Sequence, residues 1–570
     1  MAEAEHPGPR VHESRSPEAG DRPANNPVTA AAESLRERLG RFRGTSWLIG
    51  GAEGAVSHTL RQGLLAALMI MVGSWGVGYL VMVPGSWFAV HPALLPLRTT
   101  TGGVLTCAVL LAVGALLLMR SWLRLAQRVG GWDSASTTVM RRALMMWGAP
   151  LLLCFPIFSQ DVFSYWAQGG LLHAGHNPYE AGVSELPGWF AVGADELWAE
   201  SPSPYGPLFL LIAQGVWFLS DGVPEISILL FRLLAVIGVV LMLLVIPKLA
   251  RAFGSEPGWA LWLCLLNPLS LIVFIPAAHN DALMMGLMLT GAWYALKVRR
   301  LAAVLLLVAA VAVKPIAMVV LPFAVLLSLR QTSSYLLRLR EWAFAGALAV
   351  VLLGGGGWLL GVGLGWVTAA LGAGSAILQA APVGLLGLGV GYAAEATIGA
   401  DPEVVAAWVY GAARVASAVV VAVLLLRRNL GNPVLWAGYA LTVVVLASSI
   451  LQPWYLLWIL PLFAVTHVYR GRALVLVILL VTVMTLLPMV GQLSVAQWLD
   501  TALIQGTAIV VAALYLLYIV IFDPNTTSLF SVRRESQRWN AAHGWQRLRD
   551  LPTPQNSWAA DDIYKKAPSN

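Results

Sequence analysis

Charged side chains are scarce. They make up 11% of the 570 residues, against about 25% in soluble globular domains. With a hydrophobic share of 58%, this excludes a soluble reading of the whole chain. Cysteine occurs three times, at Cys107, Cys154 and Cys264. Each lies inside an apolar run far from the others, so neither a disulfide framework nor a cysteine metal site is expected. The formal net charge of +7 forms no cationic stripe and instead falls in short clusters, which argues against a nucleic-acid partner. The first apolar run begins only past residue 60, too late for a cleavable leader, so residues 64–83 read as a retained span. The paired halves of inverted-repeat carriers are also not visible in the pattern.

What the chain does have is a succession of long apolar runs from residue 64 to 522, bounded by Pro, Gly and Arg. Runs of about 18 apolar residues match the thickness of hydrocarbon. The expected fold is therefore an all-α polytopic bundle, with a transmembrane domain at 59–522. It is flanked by a Pro-, Glu- and Arg-rich disordered tail at 1–58 and a basic tail at 523–570. Within the first tail, residues 31–43 have the pattern of a basic amphipathic helix for a lipid surface.

Orientation follows from the cations. Arg120, Arg124, Arg128, Arg141 and Arg142 fall in one cluster, followed by Lys248 and Arg251, then Lys297, Arg299 and Arg300. Arg330, Arg338 and Arg340 come next, then Arg427 and Arg428, then Arg470 and Arg472. All sit on one side if residues 143–159 form the third span and 208–220 is a short helix dipping into the outer interface. The count is then about 14 crossings with both termini cytoplasmic. Residues 301–313 and 316–329, parted by Lys314-Pro315, read either as two short spans or as a buried half-hairpin.

This topology gathers the polar motifs on the external face. Asp161 begins an amphipathic segment at the boundary, Asp-Val-Phe-Ser-Tyr, in which Tyr165 follows one turn on. It reads either as a helix N-terminal acid favoured by the dipole or as a general base at the water–lipid boundary. His279, Asn280 and Asp281 form a polar triplet between two spans, suited to capping or to lining a cavity. Tyr179 and Tyr205 stand in Pro- and Gly-shaped loops, and Gln452, Trp454 and Tyr455 in Gln-Pro-Trp-Tyr. These suit interfacial anchoring or sugar stacking. His173 and His176 lack a third ligand in register, so no metal is expected. Arg232, Lys314 and Arg414 lie within apolar runs, where an isolated cation costs about 3 kcal/mol or more. They either pair with Asp161 or Asp281, or bind a lipid phosphate.

Six motifs occur in order: Asp-Val-Phe-Ser-Tyr (161–165), Gly-x-Asn-Pro-Tyr (175–179), Ser-Pro-x-Pro-Tyr-Gly-Pro (201–207), His-Asn-Asp-Ala-Leu-Met (279–284), Lys-Pro (314–315) and Gln-Pro-Trp-Tyr (452–455). Over residues 60–522 the chain resembles the actinobacterial polyprenyl-phosphomannose-dependent α-1,6-mannopyranosyltransferases, of the MptA/MptB type and more nearly MptB-like, within the GT-C membrane glycosyltransferases. The resemblance implies transfer of mannose, with inversion, from polyprenyl-phosphomannose to a lipid-anchored mannan, the core of lipomannan and lipoarabinomannan. It implies a plasma-membrane enzyme with an external active site, working without a cofactor or nucleotide sugar.

Carried onto this chain, the catalytic base is Asp161. On the chemistry of their side chains, Arg232, Lys314, Arg414, His279, Asn280 and Asp281 are the candidates for the donor phosphate and sugar. Tyr165, Tyr179, Tyr205, Gln452, Trp454 and Tyr455 serve the acceptor. The acidic loop follows the third span rather than the first, which makes the first two spans an N-terminal addition. The alternatives are a transferase of another sugar such as arabinofuranose, or a transporter or flippase of lipid-linked sugars, whose polar residues belong at the midplane.

Overall fold

The computed structural model describes residues 56–526, apart from 130–131, 133, 331–332, 373–380, 428–430, 467–470, 494–500 and 524–525. The expected terminal tails at 1–58 and 523–570, the helix at 31–43, Arg428 and Arg470 lie wholly or almost wholly outside the described residues. Among the described residues the fold is all-helical, without a strand.

The principal helices are α1 (Val56–Val77), α2 (Thr101–Arg128), α3 (Ser134–Leu151), α4 (Asp161–His173), α5 (Pro207–Ser220), α6 (Pro224–Ala252), α7 (Pro257–Cys264), α8 (Pro268–Phe274), α9 (Asp281–Leu296) and α10 (Arg300–Val313). The second half adds α11 (Tyr335–Ala349), α12 (Pro382–Ile398), α13 (Pro402–Leu425), α14 (Pro433–Leu446), α15 (Tyr455–Val465), α16 (Gly471–Leu493) and α17 (Thr501–Leu517). Many open on proline, whose fixed φ suits the first helical position and whose missing N–H is no loss there.

Among the described residues seven helices are long and apolar enough to cross a membrane, or eight if α7 and α8, bent by 61°, make one broken span. Pro207–Ser220, Arg300–Val313, Pro382–Ile398, Pro433–Leu446 and Tyr455–Val465 are apolar but shorter. The expected third span at 143–159 is displaced. Its helix begins at Ser134, runs through Arg141 and Arg142, and stops at Leu151, leaving 152–160 irregular in front of α4. The break at Lys314-Pro315 is present: α10 ends at Val313, and a 3-10 turn follows at Pro315–Val319.

Helices α6 and α9 pack closely. A Cβ on Gly238 of α6 would lie 2.2 Å from the Ala282 carbonyl group, and one on Gly286 2.7 Å from Gly238 O. Small residues thus bring the α6 and α9 backbones into contact and fix the start of α9, where Asp281 stands. At the other end of the bundle Trp122 and Trp262 clasp α2 to α7, each indole N–H donating to the other's carbonyl at 2.9 and 2.8 Å. The buried Arg120 Nε meets Asp523 at 2.7 Å.

Candidate active site

Two helix starts meet here. Asp161 is the first residue of α4 and Asp281 the first of α9, where the dipole favours a carboxylate. Each lies three residues after a non-glycine residue with positive φ, Phe158 at 68° and Ala278 at 54°. Such backbones persist only where their surroundings hold them. The restraints on 152–160 are on view: Phe155 N donates to Ser74 Oγ at 2.9 Å, Tyr79 N to Pro156 O at 2.8 Å, and Phe158 N to Gln492 Oε1 at 2.8 Å.

Asp281 is fully buried. Lys314 Nζ reaches both its oxygens, at 2.8 and 2.9 Å, Trp458 Nε1 donates to Oδ1 at 2.5 Å, and His279 Nδ1 lies 3.2 Å from Oδ2. Pairing with a carboxylate, one of the two solutions open to a cation in an apolar run, is thus the one Lys314 takes. Asp161 differs: its side chain is 18% exposed. Ser159 Oγ donates to its Oδ1 at 3.0 Å, while Tyr165 OH is 3.5 Å from Oδ2 and His279 Nδ1 3.7 Å from it. The ring of His279 therefore presents one nitrogen to both carboxylates.

With its Nδ1 turned to carboxylates, that nitrogen serves as the donor, which leaves Nε2 for a further partner. Among the described residues neither His279 Nε2 nor Asn280 Nδ2 has a hydrogen-bond partner, and both are buried. Orphaned polar atoms of this kind cost roughly 1–3 kcal/mol each, a cost that sugar hydroxyls would relieve. Aromatic faces surround them. Trp454 lies 4.4 Å from the His279 ring, Tyr455 stacks on Trp458 at 4.2 Å, and Lys314 Nζ stands 5.7 Å from the centroid of Tyr205.

Tyr165 meets Tyr205 edge-on at 5.1 Å, and the hydroxyl of Tyr179 donates to Tyr205 O at 2.9 Å. Burial pushes the phenols of the two loop residues, Tyr179 and Tyr205, above their ordinary range, the charges of Asp161 and Asp281 adding to the shift at Tyr205. Gln452 is half-buried, its carbonyl accepting Tyr455 N at 3.0 Å. Gly206 carries this loop onto the Lys314 break: its N–H donates to Val313 O at 3.2 Å, and a Cβ there would lie 2.4 Å from Ala312 O.

Asp161, His279, Asn280, Asp281, Lys314, Tyr165, Tyr205 and Trp454 thus come together. Two expected phosphate ligands do not join them. Arg232 is buried on α6, and its three nitrogens donate to the backbone carbonyls of Ile275 (3.0 Å), Leu152 (2.6 Å) and Pro276 (2.9 Å). Its guanidinium faces main chain and lies apart from the cluster that the expected phosphate ligands were to share. Arg414 is half-buried on α13, which packs on α12 and α14, and it is not a partner of Asp281.

Sequence reasoning missed Ser159, Trp458, Gln492 and Asp195. Trp458 lay one helical turn after Trp454, a spacing that was readable. Asp195 sits in the loop over Asp161, where Gln160 Nε2 donates to Gly193 O at 3.3 Å. Burial holds its carboxyl above the usual range, with the Asp161 charge adding to the shift, while the Leu197 N–H opposes it.

Residues 60–330 match the family model described as alpha-(1->6)-mannopyranosyltransferase, N-terminal domain, and residues 380–519 the one described as MptB C-terminal domain. Alpha-(1->6)-mannopyranosyltransferase A of Mycobacterium tuberculosis is 35% identical over 55% of this chain and 61% of its own length. A probable alpha-(1->6)-mannopyranosyltransferase of Mycolicibacterium smegmatis is 31% identical over 72% of this chain and 79% of its own. A second M. tuberculosis alpha-(1->6)-mannopyranosyltransferase is 29% identical over the same shares. No solved structure matches the chain. The first model spans Asp161, His279, Asp281 and Lys314, and the second spans Gln452, Trp454, Tyr455 and Trp458. The chain therefore belongs to the alpha-(1->6)-mannopyranosyltransferase family of membrane glycosyltransferases.

Proposed function

We propose that this protein transfers mannose from polyprenyl-phosphomannose to the 6-hydroxyl of a lipid-anchored α-1,6-mannan, on the extracytoplasmic face and with inversion, with Asp161 as the base. The observation that carries the reading is the unequal state of two neighbouring carboxylates. Asp281 is paired with Lys314 and accepts a hydrogen bond from Trp458, whereas Asp161 keeps an open side toward solvent. A carboxylate with a free lone pair beside orphaned sugar-binding atoms suits proton removal from an attacking hydroxyl.

In the step, the acceptor oxygen bonds to the anomeric carbon as its proton passes to Asp161. The bond from that carbon to the phosphate oxygen breaks with its electron pair, releasing a polyprenyl phosphate. Lys314, whose ammonium bridges Asp281 at the mouth of a broken helix, is the cation placed to meet the developing charge. His279 Nε2 and Asn280 Nδ2 orient the sugar, and Trp454 and Tyr455 offer stacking faces to it.

The external placement rests on the cation distribution, as do the about 14 crossings, which require the shorter apolar helices to enter the bilayer too. The match of 380–519 to an MptB domain favours the MptB-like member of the family.

The test is mannosyl transfer from synthetic polyprenyl-phosphomannose to a short α-1,6-mannoside, with folded wild type and Asp161→Asn compared at equal amounts. Transfer lost in the variant supports the reading. Wild type that transfers only another sugar, or none, sinks the donor assignment, and an active variant removes Asp161 from the step.

A further inference from the structure

Arg232 has no carboxylate among the partners described for it. Its nitrogens instead close on carbonyls that two helix ends have left over. Leu152 follows the last residue of α3, and Ile275 and Pro276 follow the last of α8. A helix end leaves C=O groups without intrahelical donors and carries partial negative charge, and in an apolar bundle each unmet group is costly. The planar fork of a guanidinium serves three diverging acceptors at once, which a single ammonium does not.

The two chain segments so joined are the ones that lead into the site. From Leu152 the irregular stretch runs to Asp161, and from Pro276 it is three residues to His279. We propose that Arg232 is a positioning residue, a staple between the main chains of 152–160 and 275–281 that sets the Asp161 carboxylate against His279 and Asp281. Its effect on rate rests on the reading of Asp161 as base. Its effect on structure does not.

The two roles considered for this cation separate in kinetics. A phosphate ligand, once removed, weakens donor binding. A staple, once removed, lets reacting groups drift, and a misplacement of about 1 Å costs about 10²-fold in rate. Cys154, buried two residues beyond Leu152, supplies a readout independent of turnover, with buried Cys107 and Cys264 as internal references.

The experiment compares full-length wild type, Arg232→Gln and Arg232→Lys in lipid nanodiscs. It measures kcat and donor KM, and maleimide labelling of each cysteine by peptide mass spectrometry. Arg232→Gln is expected to lower kcat about 100-fold with donor KM within about threefold. Labelling of Cys154 should rise several-fold while Cys107 and Cys264 stay protected. Arg232→Lys, keeping charge but not the fork, should fall between the two.

A donor KM raised tenfold or more with kcat held overturns the proposal in favour of a phosphate contact, and Cys154 labelling unchanged from wild type overturns it whatever the rate. Should Arg232→Gln not fold, all three cysteines label together and Arg232→Lys decides by the same criteria. A wild type without mannosyl transfer defeats the proposed reaction, while the Cys154 comparison still decides the staple.

Discussion

The segments around Asp161 and Asp281 are built alike: a positive-φ residue, two intervening residues, then a carboxylate opening a helix. Their surroundings separate them. Asp281 has no exposed surface and is met by an ammonium, an indole and an imidazole, whereas Asp161 is met by the Ser159 hydroxyl, more distantly by Tyr165 and His279, and keeps a wet side. The same local device yields a paired, buried carboxylate in one place and a partly exposed one, the proposed base, in the other, and partners rather than backbone decide which. Divergent environments on two nearby carboxylates are a recurrent way to divide roles.

That division is open to attack, most forcefully at Asp161. Asp161→Asn should lower transfer by about 10³-fold, the scale of lost general-base catalysis, with thermal unfolding in nanodiscs little changed. A variant that unfolds early would place Asp161 with the structural acids. Asp281→Asn should do the reverse, leaving the Lys314 ammonium uncompensated and lowering stability by about 3 kcal/mol, read as a drop in unfolding midpoint. Equal stability of the two variants would dissolve the contrast.

Trp458→Phe removes one hydrogen bond to a charged acceptor while keeping an aromatic ring. It should cost about 1.5 kcal/mol, measurable in the same unfolding assay, and lower transfer only modestly.

The smallest effect belongs to Asp195. Its folded carboxyl titrates above the ordinary value because burial disfavours the charge. The folded state therefore loses stability as pH rises from the unfolded pKa through the raised folded one, and is relieved of that penalty in acid. Asp195→Asn should be slightly more stable than wild type at pH 7, by less than about 0.5 kcal/mol, and indistinguishable from it well below pH 4.

The sequence made Asp161, the 279–281 triplet and Lys314 visible because polar groups stand out inside apolar runs, and the same contrast revealed a helical bundle. It did not reveal the backbone partners of Arg232, because a buried cation has more than one way to be satisfied and carbonyls freed by helix ends at 152 and 275–276 leave no mark in residue identity. Trp458 and Gln492 passed as ordinary span residues, since their roles come from a polar atom turned toward a distant segment. The displaced third span has a local cause: hydropathy does not register that the helix ends at Leu151, ahead of a stretch held open by Ser74, Tyr79 and Gln492.

Gly206 fastens the external loop to the carbonyl next to Lys314, so close that no side chain fits between them. If the acceptor glycan moves that loop, the displacement is passed to Lys314, the residue proposed to meet the donor phosphate. Acceptor and donor affinities should then depend on one another, each ligand changing the other's dissociation constant by the same factor, and Gly206→Ala should weaken that dependence. Thermodynamic linkage between two substrates would thus run through a single peptide hydrogen bond.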